Sequence, residues 1–352
     1  MRPEDIDAFV VVPLYGFVSR ASRLDLAPDA FLSRFHDAMF EEVLAPSSEL
    51  RHYMNVFRPD YVLRVNEPFE VGSFPSPETV MNSEAISSLV SKLFGKSITT
   101  ALQLLTCLRL YSKGLLQRGD IWIIWTLQDH TPPGQLCVRF SPTGIVGLAW
   151  AGGEGMPHPV ATHERYRFEA EDIPYFRAFW RRVGAVISSR SQLSLPKNIP
   201  LALSYYNRTF GAAQKAMRLV DLVTCLECLL VDGNEEISYR LASRCANLLG
   251  PDPDARKRLY QEIRGFYNVR SRLVHGEILK EKHESYIQTV EDLRDCVRRV
   301  LLALLGLIVA GEQGADVYAT LDEMGLDDNT RTSVQLKASQ LLHLDMQSPD
   351  GD

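Results

Sequence analysis

The sequence predicts an α+β protein. A mixed α/β N-terminal domain is expected over residues 1–195, followed by an all-α helical bundle over 200–312 and a helical extension with a flexible tail over 313–352. Three observations carry this reading. Short runs rich in β-branched and aromatic residues, bounded by Gly, Pro or Asp, recur through the first half. Such runs vanish after about residue 200, where apolar residues recur at spacings of three and four instead. Between the two patterns lies "SSRSQLSLPKNIP", a Ser/Pro/Lys/Asn-rich stretch with the composition of a linker. A length of 352 residues is also enough for two domains at roughly 150 residues each.

In the first half, "AFVVVPL", "YVLRVN", "IWIIWTL", "QLCVRF" and "IVGLAW" read as strands. "PDAFLSRFHDAMFEEVL", "SITTALQLLTCLRLYSKGLL" and "EDIPYFRAFWRRVGAVI" have helical spacing and good helix formers. In the second half one helix is expected through "KAMRLVDLVTCLECLLV", with Leu219, Val223, Leu226 and Leu230 on one stripe. "ISYRLASRCANLLG" is a second, ending at Gly250. "PDPDARKRLYQEIRGFYNVRSRLVHG" is a third, with Asp252 as N-cap, Pro253 in the first turn and Gly276 as terminator. A fourth places Tyr286, Val290, Leu293, Val297, Leu301, Leu304 and Ile308 on one face. Four amphipathic helices with short connections make a bundle. Two weaker helices follow, around Tyr318 and Val334.

A net charge of −6 means that any contact with nucleic acid must be local. The six cysteines lack the spacing of a disulfide framework, and "MRPEDIDAFVVVPLYG" lacks the basic start of a secretory leader. "VLLALLGLIVAG" is too short to span a bilayer and reads as a buried helix. These features predict a cytoplasmic protein with no membrane partner.

The third helix carries the chemistry. Its apolar residues Leu259, Ile263, Phe266, Tyr267, Leu273 and Val274 fall in a stripe of about 120° at 100° per residue, and Arg270 falls inside it. An arginine there snorkels out, pairs with a buried acid, or lines a cavity or interface. His275 lies about 140° further round, so the two side chains do not meet on a straight helix. They can act together where the helix ends or bends between them, or where a two-fold axis brings the same pair from a second chain. A histidine at a helix C-terminus beside a fixed guanidinium suits phosphodiester chemistry, in which the arginine stabilises phosphoryl charge and the histidine moves a proton. The plainer alternative is that both residues simply favour the helix dipole and cap carbonyls. From Arg256 to Arg272 six basic residues (Arg256, Lys257, Arg258, Arg264, Arg270, Arg272) stand against one acid, Glu262. That is a local phosphate-binding surface, or a solvated face balanced by acids on neighbouring helices.

"YNVRSRLVHGE" resembles the signature of ApeA-like HEPN domains, within the HEPN ribonuclease superfamily. The Arg-x4-His motif is Arg270-Ser-Arg-Leu-Val-His275, followed by Gly276. "LVTCLECLLV", with Glu227, and "SYRLASRCANLLG" are similar to the family's earlier helices, so the resemblance covers about residues 205–310. It implies an all-α bundle that forms a homodimer and places both Arg/His pairs in one composite cleft. It implies a metal-independent endoribonuclease, with no cofactor, that leaves 2′,3′-cyclic phosphate ends. Carried over, His275 is the general acid/base and Arg270 the phosphate and transition-state binder. Ser271, Tyr267, Arg272 and Arg264 are supporting or substrate-binding residues. The expected partner is RNA, with tRNA a candidate, in a toxin-like or anti-phage defence role. The N-terminal domain would sense a trigger molecule or restrain the nuclease. The family also contains non-catalytic members, so the alternative is a nucleotide-binding or protein-interaction module.

Other signals carry less. Gly95-Lys96-Ser97 lacks the upstream glycine of a phosphate loop, because position 90 is valine. Cys225 and Cys228 form C-x-x-C in a helical stretch with no second pair, which predicts core packing over zinc. His158, His163 and Glu164 are a weak metal candidate, and Trp122, Trp125 and Trp150 read as core.

Overall fold

The computed structural model describes residues 6–35, 58–66, 83–119, 121–127, 134–141, 144–145, 164–188, 199–212, 214–310 and 317–342. The chain divides into two compact units, Met1–Leu105 with Gly114–Arg177, and Thr106–Lys113 with Ala178–Asp352. The fold is α+β, with an antiparallel sheet toward the N-terminus and a helical C-terminal part.

The first unit contains β1 (Ile6–Tyr15), β2 (Phe17–Val18), β3 (Arg23–Ala27), β4 (Ala30–Arg34), β5 (Tyr61–Asn66), β6 (Gln117–Arg118), β7 (Ile121–Leu127), β8 (Gly134–Ser141), β9 (Gly144–Ile145) and β10 (Tyr166–Arg167). The sheet order is β3-β4-β5-β1-β7-β8-β9, with β6 also on β1, while β2 and β10 form a separate parallel pair. All other pairings are antiparallel, with Val12 opposite Leu63 and Val11 opposite Trp122. β1 lies inside the sheet, and Val10, Val11, Val12 and Leu14 are all buried. A strand covered on both faces needs a continuous apolar run rather than alternation, as its sequence has. Phe17 packs against Tyr61 at 4.7 Å and Tyr166 at 5.7 Å, and Phe168 meets Phe176 edge-on at 5.5 Å.

The helix expected from Pro28 is instead a hairpin, with Pro28 and Asp29 as the turn between β3 and β4. β3 alternates exposed Arg23 and Asp25 with buried Leu24 and Leu26, and β4 pairs along β5 with Leu32 opposite Leu63. Pairing to a ready-made apolar strand outweighs the modest helix propensity of Ala-Phe-Leu. The remainder of that segment, 36–44, lies outside the described residues, as do Trp150, His158, His163 and the tail from 343. The side chains of Trp122 and Trp125 lie outside them too.

The helices are α1 (Ser83–Tyr111), α2 (Ile173–Ser188), α3 (Ile199–Arg208), α4 (Lys215–Leu230), α5 (Ile237–Leu249), α6 (Pro253–Val274), α7 (Glu281–Gln288), α8 (Val290–Val309), α9 (Val317–Glu323) and α10 (Asp328–Leu342). Gly95-Lys96-Ser97 lies within α1. α3 begins inside the stretch read as linker, although Ile199, Ala202, Leu203 and Tyr206 give it a buried face at helical spacing. α8 is the interior helix of the second unit. Val300 to Leu305, Leu307 and Ile308 are buried all round, as an enclosed helix requires. Where one helix was expected from Tyr286 to Ile308, the structure has two, broken at Thr289. The Thr289 hydroxyl donates to the Ser285 carbonyl at 3.2 Å, which offers the backbone an alternative at the break. No helix among the described residues is long and apolar enough to cross a membrane.

Candidate functional site

α6 is fixed at both ends by local chemistry. Asp252 is extended at the N-cap, and its carboxylate accepts from the Ala255 amide at 2.8 Å, with Pro253 opening the helix. At the other end Gly276 adopts φ +69, where a Cβ is strained. The Gly276 amide donates to Leu273 O at 3.2 Å and the Glu277 amide to Arg272 O at 2.9 Å. Those two bonds form a Schellman motif and make His275 the C-cap residue. The His275 amide donates to Ser271 O at 3.1 Å, and its side chain is exposed.

Arg270 takes the second of its three options. Its Nη2 donates to Glu227 Oε2 of α4 at 2.9 Å, and the two side chains are only 24% and 19% exposed. Phe266 and Val269 beside it are buried, so the guanidinium emerges from the core-facing stripe. Burial pushes the Glu227 carboxyl up, and the Arg270 charge pulls it partly back. Arg270 Nε is buried without a hydrogen-bond partner among the described residues. No hydrogen bond joins the Arg270 and His275 side chains there either, as their angular separation on a helix that runs to Val274 requires.

The supporting residues divide into two groups. Arg264, Tyr267 and Ser271 fall on one side of α6, where Arg264 sits 5.6 Å from the Tyr260 ring and reaches its hydroxyl at 3.5 Å. Arg272 lies round from them and pairs with Glu277 at 2.5 Å across the helix stop. Sequence reasoning missed the Arg270–Glu227 pair and the Tyr239–Tyr260 contact, edge-on at 6.2 Å between α5 and α6. The i, i+4 spacing of Tyr260 and Arg264 was a readable signal of that cluster. Glu262, the one acid in the basic run, is exposed and follows Arg258 at i, i+4 spacing. Partial desolvation pushes its carboxyl above the ordinary range, and the Asp292 charge pushes it the same way. Cys225 is buried on α4, where desolvation holds its thiol well above the ordinary range, and Cys228 is half-buried. That matches core packing for Cys225.

No protein-family model matches the chain, and no curated protein or solved structure was found to be significantly similar to it.

Proposed function

We propose that the chain is a metal-independent endoribonuclease whose site is completed in a homodimer and uses Arg270 and His275. The observation that carries the reading is the end of α6, where a guanidinium anchored by Glu227 lies one turn before an imidazole exposed on the C-cap. A fixed cation and a solvent-accessible proton carrier are what transphosphorylation of RNA requires. The 2′-hydroxyl oxygen attacks the adjacent phosphorus as the P–O5′ bond breaks. His275 of one protomer takes the 2′ proton, and a proton returns to the departing 5′ oxygen. Arg270 stabilises the charge that gathers on the non-bridging oxygens. The products are a 2′,3′-cyclic phosphate and a 5′-hydroxyl, with no water consumed. Because Arg270 and His275 diverge by about 140° on one helix, a second copy of α6 across a two-fold axis supplies the opposing pair. Glu227 is a positioning residue that holds the guanidinium. The role we propose is toxin-like or anti-phage defence in the cytoplasm, with RNA, tRNA included, as substrate and the N-terminal unit sensing a trigger.

The test is product chemistry. Purified protein incubated in EDTA with total RNA and tRNA should generate fragments ending in 2′,3′-cyclic phosphate. Fragments with 3′-hydroxyl ends, or cleavage that needs an added divalent metal, would overturn the proposal. The Arg270–Glu227 pair favours one second reading, a non-catalytic HEPN module in which the arginine is a structural cross-link between α4 and α6. On that reading the folded wild-type protein cuts no RNA, and the loss of Arg270 costs stability alone.

A further inference from the structure

Along α6, Lys257, Tyr260, Arg264, Tyr267 and Ser271 follow one another at spacings of three, four, three and four. Such spacing keeps them on one face, over a length of about 21 Å at 1.5 Å per residue. Lys257 and Arg264 are exposed, and Tyr260, Tyr267 and Ser271 are half-buried. Both carboxylates of α6 lie off this row: Asp254 in the first turn is about 100° from its centre and Glu262 about 170°. Tyr239 of α5 joins from the side. Tyr239 is 55% exposed and meets Tyr260 edge-on at 6.2 Å, and the Arg264 guanidinium lies 5.6 Å from the Tyr260 ring. Arg240 next to Tyr239 is turned to Asp232 at 3.4 Å, so it does not cover the ring.

Exposed rings cost hydration unless something covers them, and cations with no carboxylate partner among the described residues attract an anion. A ligand that offers flat π surfaces joined by regularly spaced negative charges satisfies both. A folded duplex buries its base faces and offers only the charges. We propose that Tyr239, Tyr260, Arg264 and Lys257 form a binding track for single-stranded RNA, with a base on the tyrosine pair and phosphates on Lys257 and Arg264. The row runs toward Ser271 and the His275 C-cap, so the track delivers the strand to the end of α6. It rests on the ribonuclease reading for its substrate and is separable from it by experiment.

The test is fluorescence anisotropy with the full chain and a labelled 12-nucleotide 2′-O-methyl single strand, whose blocked 2′ oxygens cannot attack the phosphate, against a duplex of the same length and chemistry. Tyr239→Ala, Tyr239→Phe, Lys257→Ala and His275→Ala are compared with wild type. Tyr239 and Lys257 are surface positions, so these variants fold. The single strand is expected to bind more tightly than the duplex. Tyr239→Ala should weaken it at least about fivefold while Tyr239→Phe holds it. Lys257→Ala should lower the slope of log K against log salt by about 0.7. His275→Ala should bind like wild type, whether or not it cleaves. Equal binding by Tyr239→Ala and wild type, or equal binding of single strand and duplex, would overturn the track even if the nuclease stands. Loss of binding in Tyr239→Ala by a protein that never cleaves RNA would uphold the track and remove the nuclease.

Discussion

Arg270 and Glu227 hold each other in a place where neither is at ease alone. Burial raises the Glu227 carboxyl above its ordinary 4.5, and Arg270 opposes that rise. A carboxyl with a raised folded pKa contributes stability that is present below 4.5 and lost as pH rises through the folded value. Replacing Arg270 by Met removes the opposing charge and moves that loss further. Arg270→Met should therefore cost about 1–3 kcal/mol at pH 7 in urea denaturation, and less at pH 4, where Glu227 is largely neutral in both proteins. An equal cost at both pH values would mean that the arginine acts through packing. At this scale the sequence was half readable. Arg270 stood out as a charge within an apolar stripe, but its partner lies 43 residues upstream. Only the docking of α4 on α6 brings the two together.

Among the elements, α6 is the most legible, because its start and stop are chemical signals within a few residues of each end. Its stop gives a direct prediction. Gly276→Ala forces a Cβ into the left-handed region and should lower stability by about 1–2 kcal/mol, and Gly276→Asn by less. Thermal denaturation of both variants checks this, and equal midpoints for the two would contradict it. The close approach of α6 and α7 depends on a second glycine. A Cβ on Gly265 would come within 2.4 Å of three atoms of the Tyr286 side chain, so Gly265→Val should destabilise more than Gly276→Ala. α5 is tied to α9 by Arg244, 1% exposed, whose Nε and Nη2 each reach an Asp322 carboxylate oxygen at 2.7 Å. That hydrogen-bonding holds Asp322 below its ordinary 3.8. The stability it gives is present above 3.8 and lost as pH falls through the depressed folded value. The gap in denaturation midpoint between wild type and Asp322→Asn should thus narrow in acid, and a constant gap would contradict the linkage. The elements that were misread were decided by contacts that periodicity does not carry. The hairpin at Pro28 is decided by β5 across from it and the break at Thr289 by a side-chain bond to the backbone, and periodicity records neither.

For the molecule as a whole, the division into a sheet-bearing part and a helical part was legible because periods of 2 and 3.6 leave different marks on a sequence. The proposed function rests on residue chemistry at one helix end. Arg270 and His275 are a motif visible in the sequence, whereas the Tyr239–Tyr260 contact needs two helices side by side. The claim that joins these scales is that His275 is there for proton transfer and not for capping. The most direct measurement is RNA cleavage by His275→Ala beside wild type, with the urea midpoint and the oligomeric state of the same preparations. The account predicts cleavage lower by about 10²–10⁴-fold. It predicts stability within about 0.5 kcal/mol of wild type, as for an exposed side chain, and an unchanged dimer. Cleavage equal to wild type, or a variant that unfolds or dissociates, would contradict it.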